Sequence, residues 1–164
     1  MRRWIRTLSA GLAIGLIPAV GSAVEQKPLP DFQVLAADGT SVRSAELSVQ
    51  ERWVLIYAIP DCRTCDQVLQ ALKTVQDPKL AARTVIVVGA RLDVAHAYVE
   101  KKLPKEAGGV AWFADAQGKA WQALEIPGTP FLLGVRRGWI EWALSGTPKE
   151  AGALTSALRS WVEY

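Results

Sequence analysis

The chain has 164 residues, half of them apolar, which suffices for one domain with a sizeable core. The formal net charge is +3, but the first 23 residues hold three of the 19 basic side chains and none of the 16 acidic ones, so the remainder is balanced. A balanced domain gives no electrostatic footing for nucleic-acid binding or for adhesion to an anionic membrane.

Residues 1–23 read as a signal peptide. Arg2, Arg3 and Arg6 form a basic start, Leu8 to Val20 an apolar run of 13 residues, and Gly21-Ser22-Ala23 a small-residue site that predicts cleavage before Val24. A membrane span needs about 20 apolar residues, so a retained anchor is the weaker alternative. Arg2-Arg3 alone does not specify twin-arginine export. Residues 24–164 are then one exported domain, periplasmic or otherwise extracytoplasmic.

Val24 to Asp31, with two prolines, is an extended lead-in. Phe32 to Leu35 and Ser41 to Arg43 are expected to be short strands around an Asp38-Gly39 turn, with a turn or short helix over Ser44 to Leu47. Trp53 to Ile59 is an apolar run without alternation, the pattern of a strand buried on both faces. Pro60-Asp61 ends it, and a helix starts at Cys62-Arg63-Thr64-Cys65 with Asp61 as candidate N-cap. Its inward stripe is Val68, Leu69, Leu72 and Val75, and Asp77-Pro78 stops it.

Thr84 to Gly89 is a second buried strand. Asp93 is expected to cap a helix to about Leu103, with Val94, Ala97 and Tyr98 on one side and Lys101, Lys102 and Lys105 as a solvated end. Val110 to Phe113 is a third strand, followed by a turn over Asp115 to Gly118 and a short helix over Lys119 to Leu124. Phe131 to Val135 and Trp139 to Leu144 form a hairpin through Arg136-Arg137-Gly138. Thr147-Pro148-Lys149-Glu150 has the form of a capping box before a helix with Ala151, Leu154, Leu158, Trp161 and Val162 on one face. Strands alternating with helices, closed by a hairpin, give an α/β fold: a central mixed sheet flanked by helices.

The chemistry concentrates at the only two cysteines, Cys62 and Cys65. A bridge across so small a loop removes little chain entropy, so a structural staple is a poor account of it. Zinc lacks ligands, because His96 is the sole histidine and a mid-helix surface position suits it better than a metal or a catalytic base. Thiol–disulfide exchange remains, with the disulfide itself as the only redox group and no added cofactor. Cys62, at the helix mouth, would be the nucleophile, and Cys65, one turn inward, the resolving thiol. Arg63 favours a Cys62 thiolate, whereas Asp61 and Asp66 oppose it. A proline before an apolar strand usually just begins that strand. At Thr129-Pro130 a cis bond facing the cysteines would instead expose Thr129 backbone groups to an extended substrate.

Together these elements resemble the TlpA/ResA-like branch of the thioredoxin superfamily, exported thiol–disulfide oxidoreductases that share a lead-in with peroxiredoxins. Pro30-Asp31-Phe32, Asp38-Gly39-Thr40 and Ala45-Glu46-Leu47 correspond to the lead-in, and Trp53 to Ile59 to the central strand. Val85 to Gly89, the helix from Asp93, and Trp112 to Gly118 correspond to the insertion, and Gly128-Thr129-Pro130 to the cis-proline loop. The resemblance implies protein thiols or disulfides as partners, in roles such as reducing apocytochrome c or maintaining exported thiols. It also implies a membrane thiol transporter as electron donor, and hence transient proximity to a membrane. The chain departs from thioredoxins proper in having Arg63-Thr64 between the cysteines and Asp61 before them. Ile56 stands where those proteins bury an acid, and nothing singles out Glu100 or Glu125 as a substitute. Pro60 also resembles exported disulfide isomerases, whose dimerisation domain has no room here.

Two other functions compete. A thiol peroxidase shares the lead-in, but needs a hydroxyl residue upstream of its cysteine, which Ala58-Ile59-Pro60-Asp61 does not provide. A thioredoxin-fold metallochaperone or assembly factor needs wider cysteine spacing and a nearby histidine.

Overall fold

The computed structural model describes residues 26–75, 77–103, 109–148 and 152–163. The signal segment, its cleavage site, Lys105 and the Lys149-Glu150-Ala151 part of the expected capping box lie outside them. Strand β1 (Lys27–Pro28) is followed by the hairpin of β2 (Gln33–Leu35) and β3 (Ser41–Arg43), then by a 3-10 turn over Ser44–Glu46. The hairpin turns where expected, with Gly39 at φ 85° and Asp38 accepting the Thr40 N–H at 2.9 Å. The central strand β4 (Arg52–Ala58) leads to α1 (Arg63–Val75), α2 (Pro78–Ala82) and β5 (Thr84–Val88). The rest comprises α3 (Leu92–Lys102), β6 (Ala111–Ala114), α4 (Lys119–Ala123), β7 (Phe131–Arg136), β8 (Trp139–Ser145) and α5 (Ala153–Glu163).

Among the described residues, all eight strands form one mixed sheet in the order β1-β8-β7-β4-β5-β6-β2-β3. β4 pairs in parallel with β5 and antiparallel with β7, and β5 pairs in parallel with β6. Successive β4 side chains alternate between two cores. Val54, Ile56 and Ala58 join Cys65, Val68, Leu69, Ile86, Val99 and Leu158 under α1, α3 and α5. Trp53, Leu55 and Tyr57 join Val85, Val87, Phe32, Leu124 and Ile126 on the opposite face. Burial of each such Leu, Ile or Val contributes roughly 1.5–3 kcal/mol, so both layers hold the strand that aims the cysteines. This is the thioredoxin-like arrangement, with added N-terminal strands and a central insertion.

Five local expectations are corrected. Asp61 is not the N-cap of α1: it sits in the left-handed region at φ 59°, and Cys62 takes the cap position, its carbonyl accepting the Asp66 N–H at 3.0 Å. Asp77-Pro78 not only stops α1 but starts α2, because the Asp77 carboxylate accepts the N–H groups of Lys79 and Leu80 and proline fits the first turn. α3 is capped at Arg91, and Asp93 lies in its first turn, paired with Arg91 at 3.0 Å. Its buried face carries Ala95, Tyr98 and Val99, while Val94 and Ala97 face solvent. Finally, α5 begins after Gly152 at φ 87°, a conformation that an α-helix starting at Thr147 cannot pass through.

The β7–β8 hairpin is pinned by tryptophan. The Trp142 indole lies across Gly134, where a Cβ would fall 1.9 Å from its Nε1. Trp142 meets Trp161 edge-on at 5.7 Å, and the Trp161 N–H donates to the Trp53 carbonyl at 3.2 Å. Trp139 is half exposed. Among the described residues no helix is long and apolar enough to cross a membrane.

Candidate functional site

Strand β4 delivers Ile59, Pro60 and Asp61 to the mouth of α1, and the left-handed turn at Asp61 immediately precedes Cys62 at the helix start. Cys62 and Cys65 form a disulfide with Cα atoms 5.2 Å apart. The two sulfurs have unlike surroundings. Cys65 is fully buried in the core under α1, whereas Cys62 is partly exposed. Cys62 Sγ accepts the Cys65 N–H at 3.1 Å, as an N-cap side chain accepts from the third helical residue. Thr64 Oγ1 lies 3.4 Å from the same sulfur and Thr129 Oγ1 donates to it from 3.7 Å. A backbone N–H, two hydroxyls and the positive end of α1 therefore converge on Cys62, an environment suited to a sulfur anion once the bridge is reduced.

The loop before β7 closes the other side. The Thr129–Pro130 peptide bond is cis, Pro130 is buried, and the Thr129 carbonyl sits 3.9 Å from Cys62 Sγ. In the bridged state that sulfur carries no proton, so the approach is a contact; in the dithiol state the thiol can donate to it. The cysteine pair is thus brought to Thr129-Pro130, although Cys62 and Thr129 are 67 positions apart in sequence. Asp61 and Arg63 flank them but are exposed, and neither is among the described hydrogen-bond partners of the Cys62 sulfur.

Ile56, standing where thioredoxins proper bury an acid, is fully buried among apolar side chains. Glu100 is exposed and paired with His96 at 3.4 Å, and Glu125 is exposed and paired with Lys27 at 3.4 Å. His96 is a surface residue on α3, edge-on to Trp112. Among the described residues no three His, Cys, Asp or Glu side chains gather as a metal site.

Two tyrosine–carboxylate pairs escaped the sequence. Asp66, directly after Cys65, accepts the Tyr98 hydroxyl at 3.0 Å and pairs with Lys102 Nζ at 2.5 Å, so Lys102 is not the solvated helix end expected of it. The Lys102 hydrogen bond, aided by Tyr98, holds the Asp66 carboxyl below the usual carboxylate range against some desolvation. Asp115, nearly buried, accepts the Tyr57 hydroxyl at 2.9 Å and the Trp121 N–H at 3.0 Å. Burial, helped by the Asp115 charge, pushes the Tyr57 phenol well above its ordinary range. The only available signals were i, i+4 spacing of Tyr98 and Lys102 and the Asp115-to-Gly118 turn pattern.

The site is a buried–exposed cysteine pair at a helix mouth, facing a cis-proline loop on a thioredoxin-like sheet. The chain belongs to the AhpC/TSA family, whose model matches residues 26–142. No curated protein sequence matches it. Among solved structures it is similar to a secreted Mycobacterium tuberculosis disulfide oxidoreductase homologous to E. coli DsbE, at 19% identity and TM-score 0.63, covering 81% of this chain and 96% of that one. A Thermus thermophilus thio-disulfide isomerase matches at 19% identity and TM-score 0.61, over 82% of this chain and 94% of that one. A thioredoxin-family thiol:disulfide interchange protein of Chlorobium tepidum matches at 15% identity and TM-score 0.61, over 82% and 95%. These likenesses are of fold.

Proposed function

We propose that this protein is exported and passes electrons from a Cys62–Cys65 dithiol to disulfides of protein partners. The observation that carries this is the asymmetry of the pair: Cys62 at the surface within reach of three donors, Cys65 buried behind it. The Cys62 thiolate attacks one sulfur of a partner disulfide, forming a Cys62–partner bond and releasing the partner's other sulfur as a thiolate, which takes up a proton. Cys65, losing its proton, then attacks Cys62; the Cys62–Cys65 bridge forms and the partner leaves with two thiols. Two electrons have moved from the protein to the partner. Thr129 backbone groups beside Cys62 would pair with the extended partner segment, Pro130 having no N–H to compete. Arg63 and Asp61 would adjust thiolate stability in opposite senses.

Re-reduction requires a thiol donor across the membrane, for which a membrane thiol-reductant transporter fits the chemistry. Export is supported by the basic, apolar and small-residue order of residues 1–23, and by likeness to a secreted disulfide oxidoreductase. N-terminal sequencing of the protein from its host should begin at Val24. The protein-exchange role is tested by trapping. In the host, Cys65→Ser should accumulate partners bound through Cys62, and Cys62→Ser should not; the reverse pattern would exchange the two roles.

Membership of the AhpC/TSA family favours a second reading, a thiol peroxidase. Its test is peroxide consumption by the reduced protein, which should remain at the level of an ordinary free thiol.

A further inference from the structure

The charges around the redox turn do not come from one helix. Asp61 and Arg63 flank Cys62, and Asp66 follows Cys65 on the first turn of α1. A carboxylate there lies within about one helical turn of both cysteines and disfavours sulfur anions. Among the described residues its countercharge comes from α3. Tyr98 and Lys102, one turn apart, each serve one oxygen of Asp66, at 3.0 Å and 2.5 Å. Tyr98 is nearly buried, and the Asp66 and Lys102 side chains are only 36% and 28% exposed, so solvent does not fully screen the pair. Lys101 adds a weaker attraction from the same helix end, and Asp61 lies near enough to act on Tyr98.

We propose that Lys102 is a positioning residue for the exchange reaction: acting through Asp66, it cancels the negative charge beside Cys65 and thereby sets the redox poise of the Cys62–Cys65 pair. The inference rests on the thiol–disulfide reading above and adds the element that regulates it. An unpaired Asp66 destabilises the thiolate, hence the dithiol form, and makes the protein more reducing; an unpaired Lys102 does the opposite. A brace that merely joined α1 to α3 would respond alike to loss of either end.

The test compares full-length protein with Lys102→Met, Asp66→Asn, the double variant and Lys102→Arg. Two quantities are read: the equilibrium constant with reduced and oxidised glutathione, and the pH titration of the Cys62 thiolate by its ultraviolet absorbance. Lys102→Met should shift the equilibrium about three- to tenfold toward the reducing side and raise the titration midpoint. Asp66→Asn should shift both in the opposite sense. The double variant should return to within about twofold of the parent, and Lys102→Arg should stay with the parent; a tenfold change is about 30 mV for this two-electron couple. Single-variant shifts of the same sign, or none, overturn the proposal. Should the protein fail to equilibrate with glutathione, the exchange reading falls, while opposite thiolate shifts after chemical reduction would still uphold the charge device.

Discussion

On one face of the sheet, Asp66 shares its two oxygens between the Tyr98 hydroxyl and Lys102, at the edge of solvent and next to the redox pair. On the opposite face, Asp115 gives one oxygen to the Tyr57 hydroxyl and the Trp121 N–H, while its other oxygen is buried without a partner among the described residues. The same two functional groups meet in both places, yet among the described residues only the first has a cation, and it keeps partial access to water. A carboxylate of that kind can trade charge with its neighbours at little structural cost. The second cannot: its job is to hold the Asp115–Gly118 turn against β4 and start α4, which covers the second core. The contrast separates a device that adjusts chemistry from one that maintains shape.

The largest effect should come from removing the buried carboxylate. Asp115→Ala leaves the Tyr57 hydroxyl and the Trp121 N–H without acceptors in the interior, which should cost about 2–4 kcal/mol of stability. Urea unfolding measures this, and the glutathione equilibrium should stay within twofold of the parent. A large redox shift would erase the distinction between the faces. Next in size is the paired comparison of Tyr57→Phe and Tyr98→Phe. The first removes a bond from an acceptor already short of partners and should cost about 1–2 kcal/mol; the second leaves Asp66 with Lys102 and should cost under about 1 kcal/mol. Equal losses would contradict the assignment of different jobs.

The smallest effect is in pH. Because its folded-state carboxyl is held below the ordinary range, Asp66 adds stability that is present above its unfolded value, about 3.9, and disappears as pH falls through the lower folded value. The stability difference between the parent and Asp66→Asn should therefore be visible at pH 6 and vanish in strong acid. A difference that grew on acidification would have the wrong sign.

Much of this organisation was legible in the residues. The unbroken apolar run of β4, the β2–β3 turn at Asp38-Gly39, the β7–β8 turn at Arg137-Gly138 and the CxxC at a strand end carry local signals that tertiary packing did not override. The misplacements are equally physical. Asp61 is a good N-cap type, but asparagine-like tolerance of left-handed backbone let it serve as the turn instead, leaving the cap to Cys62. Thr147 to Glu150 has the composition of a capping box, yet Gly152 takes a positive φ and restarts the chain just before α5. At the candidate site, both cysteines stood out by spacing and residue type, whereas Pro130 on sequence alone reads first as the start of a strand. Lys102 did not stand out, because its partner lies 36 positions away and only the packing of α3 on α1 brings them together. Asp115 was hidden for a similar reason: a turn aspartate is normally solvated, and burial is decided by β4 and α4 closing over it.

The most direct test is a transfer experiment with the full-length chain. Fully reduced protein is mixed with a disulfide-bonded acceptor such as insulin, and both are mapped by mass spectrometry after acid quenching. One acceptor disulfide should open for each Cys62–Cys65 bridge that forms, and Cys62→Ser should abolish the transfer. Acceptor disulfides that stay closed while the dithiol persists, or equal transfer by Cys62→Ser, would contradict it.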